Sequence, residues 1–167
     1  MCKRQVFVRP RPKVVIVAVR PDEDQREEIE RRARVNGVEE VASLDATAAA
    51  IESATRALDV DVTVISTDTS SDNELARLLA DAGRGADLVL TTSDHMVVGQ
   101  QDPVSSVLPR MGGTDFARVA MEPGANQGFA LIDPSLVPLV VLPAGPGPAL
   151  ISFMVFVQPL LRKLSGL

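Results

Sequence analysis

The stretch that decides the fold is Lys13–Val19, KVVIVAV. Its apolar and largely β-branched residues run without a polar alternation, which is typical of a strand buried on both faces of a sheet. Such a strand needs a layer of helices on each side, and the rest of the chain alternates between short apolar runs and helical stretches. We therefore predict an α/β fold, a three-layer αβα sandwich with a mostly parallel sheet.

Five further strands and five helices are expected, from apolar runs bounded by turn residues and from charged or Ala-rich stretches that end at glycine or proline. The predicted strands are Val60–Ile65, Asp87–Thr91, Phe116–Met121, Gly128–Ile132 and Leu136–Leu142. The predicted helices are Glu23–Arg34, Ala46–Leu58, Ser71–Ala82, Pro103–Leu108 and Ala149–Leu164. In the last helix, Phe153, Phe156 and Val157 are predicted to pack into the core. We expect one domain over 13–167, preceded by an arm over 1–12.

The bulk composition excludes several classes of function. The net charge of −5 and the absence of Trp and Tyr argue against nucleic-acid binding over the whole domain. The single cysteine, Cys2, allows no disulfide within the chain and indicates a reducing compartment. The longest apolar region, Ala149–Leu161, is shorter than the roughly 20 residues of a membrane span. We therefore expect a cytoplasmic protein that binds neither nucleic acid nor membrane.

Polar or Gly/Pro-rich loops follow several of the predicted strands. Ligands of mostly parallel sheets bind beyond the carboxyl ends of the strands, so these loops are expected to form one cleft for a small molecule. The loops are Ser66–Ser71, Thr92–Asp102, Glu122–Gln127 and Pro143–Pro148.

The order of these loops resembles one known family. The segment Ala86–Thr92, with Gly99 and Asp102 after it, is similar to "ADVVITSGGxSxGxxD". Val119–Gly124, with Gln127-Gly128-Phe129 after it, is similar to "xAMxPGxPxGFG", and Leu142–Pro146 is similar to "LPGNP". Together with the tail Phe153–Leu167, these segments resemble the molybdopterin-binding domain of the molybdopterin molybdenumtransferases, the MoeA/gephyrin group, to which the MogA type is related. The likeness covers one domain of that family.

The resemblance implies a molybdopterin-binding domain that also uses Mg²⁺. By position, Asp102 and Asp68 match the metal-associated acids, and Asp102 is also a catalytic candidate. It also implies a homo-oligomer, dimer or trimer, and apolar surface near Val137–Val157 favours self-association. The residues implied to contact the ligand are Thr92, Ser93, Gly99, Pro123, Gly124, Pro143, Gly145 and Pro146.

Several chemical positions depart from the family pattern. Ser93, Asp94 and His95 stand where the family has paired glycines, and Glu122 and Ala125 replace the lysines of "KPGKP". Residues 20–23, Arg-Pro-Asp-Glu, replace an acidic "GDEL"-like turn, and residues 144–148 lack the amide and hydroxyl of "GNPVS". Because a phosphate site needs cations and close backbone approach, these changes predict altered or lost family chemistry.

Individual residues allow structural as well as functional interpretations. Asp102 precedes Pro103 and fits a helix N-cap as well as a metal ligand, and Asp68 fits a turn. His95, oriented by Asp94, is a candidate general base. Three functions follow: a molybdopterin-binding domain with altered chemistry, a repurposed enzyme that uses the same cleft for a different small molecule, or a non-catalytic protein-interaction scaffold.

Overall fold

The computed structural model describes residues 10–20, 46–68, 71–93 and 103–166, together with the helical residues Glu23, Glu27 and Arg31. The elements, in chain order, are β1 (Lys13–Val19), α1 (Ala46–Arg56), β2 (Asp61–Thr67), α2 (Asp72–Gly83), β3 (Leu88–Ser93), α3 (Pro103–Val107), a 3₁₀ turn (Leu108–Arg110), β4 (Gly112–Arg118), β5 (Asn126–Ile132), β6 (Val137–Leu142), α4 (Pro146–Ser152), a π-helical turn (Phe153–Val157) and α5 (Gln158–Ser165).

The strands form one six-stranded sheet in the order β2-β1-β3-β6-β5-β4. β1 is parallel to β2 and β3, and β3 is parallel to β6. β5 is antiparallel to both of its neighbours, β6 and β4. The prediction of a mostly parallel sheet is therefore confirmed, with one reversed strand near the β4 edge.

Helices cover both faces of this sheet. The side chains of each strand alternate between the two faces, and both faces carry apolar residues that the helices bury. On one face, Val17 and Val89 pack with Leu75 and Leu79 of α2 and with Val104 of α3. On the other face, strand residues pack with α1 and with the C-terminal helical segment; this cluster includes Ile16, Ile51, Leu90, Phe153 and Leu161. The predicted three-layer architecture is confirmed.

The sequence placed β4 too late in the chain. The strand was expected over Phe116–Met121 but spans Gly112–Arg118, where Gly112 pairs with Ile132 and Arg118 with Asn126. Gly112 is required within this strand. A Cβ atom at this position would collide with the carbonyl oxygen of Leu131.

The C-terminal helix differs from its prediction in two ways. It begins at Pro146, inside the segment expected to be a loop, and its middle turn, Phe153–Val157, is π-helical. Phe153 and Val157 are buried as predicted, but Phe156 is 40% exposed, so its assignment to the core was wrong. A π turn closes i→i+5 hydrogen bonds and is wider than an α turn, which rotates the i+3 side chain away from the face that holds i and i+4.

Candidate functional site

The strand order defines where a ligand cleft belongs. The chain leaves β1 for β2 on one side and then crosses to β3 on the other, so the order reverses between β1 and β3. In open α/β sheets the cleft lies at such a switch point, beyond the carboxyl ends of the strands. Arg20, Asp68 and Pro143 follow β1, β2 and β6 at this edge. Because β5 is reversed, residues 119–125, which connect β4 to β5, lie at the same edge.

The connection between β4 and β5 is a closed turn. The backbone N–H of Val119 donates to the carbonyl of Ala125 at 2.8 Å, and the Glu122–Pro123 peptide bond is cis. Gly124 has a φ of +95°, and a Cβ there would lie 3.0 Å from Met121 Cε and 3.1 Å from Ser152 Oγ. The backbone conformation therefore favours glycine at this position, and a Cβ would also press on its neighbours.

Gln127 fixes this turn to the C-terminal helical segment. Its Nε2 donates to the carbonyl oxygen of Gly124 at 2.6 Å and to Oγ of Ser152, the last residue of α4, at 2.7 Å. Ser152 is fully buried. Neither Gln127 nor Ser152 was singled out as a site residue from the sequence. One feature of the sequence could have indicated Ser152: it carries the single hydroxyl among the otherwise apolar residues 149–157.

The segment that follows β6 is short and opens into α4. Gly145 is the N-cap, with φ of +86°, and its carbonyl accepts from the N–H of Ala149 at 3.1 Å. A Cβ added to Gly147 would have no neighbour within 4 Å, and one added to Gly145 would meet only Pro148 Cδ, at 3.7 Å. The start of α4 therefore leaves room for a ligand beside its backbone. Pro146, predicted in a loop, occupies the first turn of the helix.

The end of β3 carries two buried threonines. Thr91 is fully buried, and its Oγ1 has no hydrogen-bond partner among the described residues. Leaving a buried hydroxyl unpaired costs about 1–3 kcal/mol, so such groups are usually completed by a water, a ligand or a further segment. Thr92, a predicted ligand contact, is 3% exposed on the opposite face of the sheet. The next residue, Ser93, ends the strand.

The predicted catalytic and metal residues are only partly described. His95, Asp94, Gly99 and Asp102 lie outside the described residues, and Asp68 is an exposed residue directly after β2. Among residues 10–20, 46–68, 71–93 and 103–166, no group of three or more His, Cys, Asp or Glu side chains is placed to hold a metal ion. In the same ranges, no helix has both the length and the apolar character needed to cross a bilayer.

No protein-family model matches the chain. Molybdopterin molybdenumtransferase 1 of Mycobacterium tuberculosis is 31% identical over 166 residues, which is 98% of this chain and 36% of the relative. Molybdopterin molybdenumtransferase 2 of the same organism is 34% identical over 116 residues, covering 65% of this chain and 28% of the relative. The chain thus spans about a third of the length of these curated relatives.

Solved structures agree on the fold. A molybdopterin biosynthesis moeA protein from Pyrococcus horikosii superposes with a TM-score of 0.62 at 20% identity, over 93% of this chain and 36% of that one. The tungsten cofactor synthesizing protein MoaB from Pyrococcus furiosus gives a TM-score of 0.55 at 12% identity, over 95% of this chain and 98% of that one. The near-complete alignment to the first relative and these shared folds show that the chain is a MoeA/MogA-like domain, homologous to one part of the molybdopterin molybdenumtransferases.

Proposed function

We propose that this domain binds molybdopterin in molybdenum cofactor biosynthesis, with family chemistry that is altered from that of the transferases. The observation that carries the proposal is the alignment with molybdopterin molybdenumtransferase 1 over 98% of this chain. An alignment of that extent includes the strand-end segments and not only the buried core. Conservation of the core alone would support the fold without supporting the ligand.

We infer that two segments of the described residues form a wall of the cleft. One is the turn 119–125, closed by its backbone and fixed to Ser152 through Gln127. The other is the start of α4, where Gly145 and Gly147 leave the backbone accessible. Backbone groups that are already held in place by hydrogen bonds recognise a ligand with little loss of conformational entropy, which favours binding. We assign ligand contacts to Thr92, Pro123, Gly124, Pro143, Gly145 and Pro146, and add Ser93 and Gly99 from the sequence pattern.

The proposed alteration concerns charge. Glu122, which is exposed on the turn, and Ala125, three residues later, occupy the positions of the two lysines of the family pattern. Exchanging a cation for an anion and losing a second cation weakens the attraction of this turn for phosphate. Catalytic roles for Asp102, His95 and Asp94, and magnesium binding by Asp102 and Asp68, stay predictions. So do a cytoplasmic location and association into dimers or trimers.

The proposal is tested by mixing the purified protein with molybdopterin and separating bound from free ligand by gel filtration. We expect pterin fluorescence to co-elute with the protein and to decrease in Gly124→Ala. Gly113→Ala is the matched control, since a Cβ there meets nothing within 4 Å. Adding molybdate then measures metal insertion, which we expect to be slower than for a molybdopterin molybdenumtransferase. Absence of co-eluting pterin would leave the repurposed-enzyme and scaffold alternatives.

A further inference from the structure

The outer strands of the sheet expose apolar surface on the face that carries the C-terminal helical segment. Phe129 of β5 pairs with Val140 of β6, and Val140 belongs to the core cluster that this segment completes. Phe129 therefore points to the same face, yet it is 42% exposed. Asp115 of β4 pairs with Phe129 and is exposed beside it. These two residues form an open floor next to the segment.

The helical segment forms a wall along this floor. Its Ser152 is bonded to Gln127 of β5, so the side of the segment that holds Ser152 faces the outer strands. Phe156 is one turn further on that side and is 40% exposed. The segment starts where β6 ends and runs back along the sheet in the direction of β5, so Phe156 and Phe129 both lie roughly 6 Å beyond the bonded pair. The two rings line an apolar step, with Phe129 on its floor and Phe156 on its wall.

The outer side of the wall carries a charge opposite to that of the floor. Val155 is 50% exposed, and Arg162 lies about two helical turns after it, on the same side of the segment. Lys163 follows Arg162, and no acidic residue occurs in the chain after Asp133. Among the residues that the structure describes, neither Asp115 nor Arg162 belongs to an ion pair. The wall is therefore apolar and basic, and the floor is apolar and acidic.

The neighbouring charged residues preserve this difference. Arg118 of β4 is three residues from Asp115 and points to the other face of the sheet, because strand side chains alternate. The turns at the two ends of β5 each carry a single charged residue, and both are acids, Glu122 and Asp133. In the adjacent helix α1, Glu52 is already held in an ion pair within its own helix. The floor therefore attracts a basic surface, and the wall attracts an acidic one.

We propose that the apolar step is the interface of a symmetric dimer of this chain. The helical segment of each copy lies on the floor of the other, where Val155 covers the partner's Phe129 and Arg162 faces the partner's Asp115. A second copy fits because this one surface carries both members of each complementary pair, and a two-fold axis then forms every contact twice. Burial of the exposed aromatic and aliphatic side chains supplies the apolar centre that such interfaces have. The interface does not depend on which ligand the cleft binds.

The test is sedimentation equilibrium of the ligand-free protein and of two charge-reversed variants, Asp115→Arg and Arg162→Asp. We expect the parent chain to form dimers, and each variant to raise the dissociation constant by at least about tenfold, because like charges then face each other at both ends of the interface. Both side chains are exposed, so circular dichroism should show an unchanged fold. Arg84→Asp is the control, since Arg84 is exposed at the end of α2, away from the step, and should leave the dimer intact.

An equimolar mixture of the two variants gives the sharpest outcome. Each interfacial contact in a mixed dimer again joins a cation and an acid, so we expect dimers to return when the variants are combined. A parent chain that stays monomeric up to about millimolar concentration overturns the interface. So does a dimer that neither substitution weakens, or a mixture that stays as dissociated as its components. The protein is ligand-free throughout, so none of these outcomes bears on the proposed function.

Discussion

The side-chain amide of Gln127 donates to the hydroxyl of Ser152 at 2.7 Å, and the same nitrogen donates to the carbonyl of Gly124 at 2.6 Å. Through these two hydrogen bonds, Gln127, near the start of β5, joins the β4–β5 turn to the last residue of α4. Because Ser152 is fully buried, its polar group depends on this contact. One side chain therefore positions the β4–β5 turn relative to α4, the two segments of the proposed cleft wall.

Replacing Gln127 by alanine is expected to destabilise the fold by about 1–3 kcal/mol, since a buried acceptor loses its donor. The measurement is the free energy of unfolding from urea titration. Asn126→Ala, an exposed neighbour on the same strand, is the control and should change it by less than about 0.5 kcal/mol. A double-mutant cycle with Ser152→Ala should give a coupling energy of at least about 0.5 kcal/mol. Additive effects of the two substitutions would show that the junction does not act as a unit.

Gly124→Ala is expected to weaken ligand binding and to cost about 1–2 kcal/mol of stability, because a φ of +95° strains an L residue. The added methyl group also presses on Met121 Cε and on Ser152 Oγ. Both quantities can be measured on one preparation, by thermal unfolding and by ligand titration. A variant with the affinity and stability of the parent chain would remove Gly124 from the account of the site.

Gly112→Ala should destabilise the protein more than Gly113→Ala, although both substitutions lie in β4. The Cβ at residue 112 meets the carbonyl oxygen of Leu131, whereas the Cβ at residue 113 meets nothing within 4 Å. We expect a loss of at least about 1 kcal/mol at residue 112, in the range typical of backbone strain, and little change at residue 113. Chemical denaturation of the two variants side by side decides the point, and equal stabilities would contradict the register of β4 with β5.

Phe153→Ala and Phe156→Ala should differ in their cost although they are three residues apart. Phe153 is 2% exposed, and its truncation is expected to cost about 3–5 kcal/mol through the cavity that it leaves. Phe156 is 40% exposed, so its truncation should cost less than about 1 kcal/mol. Calorimetric unfolding of both variants tests the π-helical turn, because a continuous α-helix would place both rings on the buried face.

Much of the fold followed from the sequence because the decisive elements are short and strongly patterned. Lys13–Val19 is apolar throughout, and its predicted bounds match β1. The predicted bounds were wrong where contacts between residues far apart in the chain, or an irregular helical turn, determine the structure. Gly112 lies in a strand, where its backbone approaches Leu131 too closely for a Cβ atom. Phe156 is exposed because the helix has a π turn at this point. Neither feature can be recognised from the neighbouring residues in the sequence.

The candidate site was harder to predict from the sequence than the fold. The strand-end position of Thr92, Gly124 and Gly145 followed from the order of the strands and loops. Gln127 and Ser152 did not, since a contact between residues 25 apart in the chain depends on how α4 lies against β5.

Binding of molybdopterin to this domain can be measured by a fluorescence titration of the purified protein with molybdopterin. We expect saturable binding with one ligand per chain and a dissociation constant in the micromolar range, which corresponds to a binding free energy of about −8 kcal/mol. A signal that does not saturate at about a hundred times that concentration would contradict it.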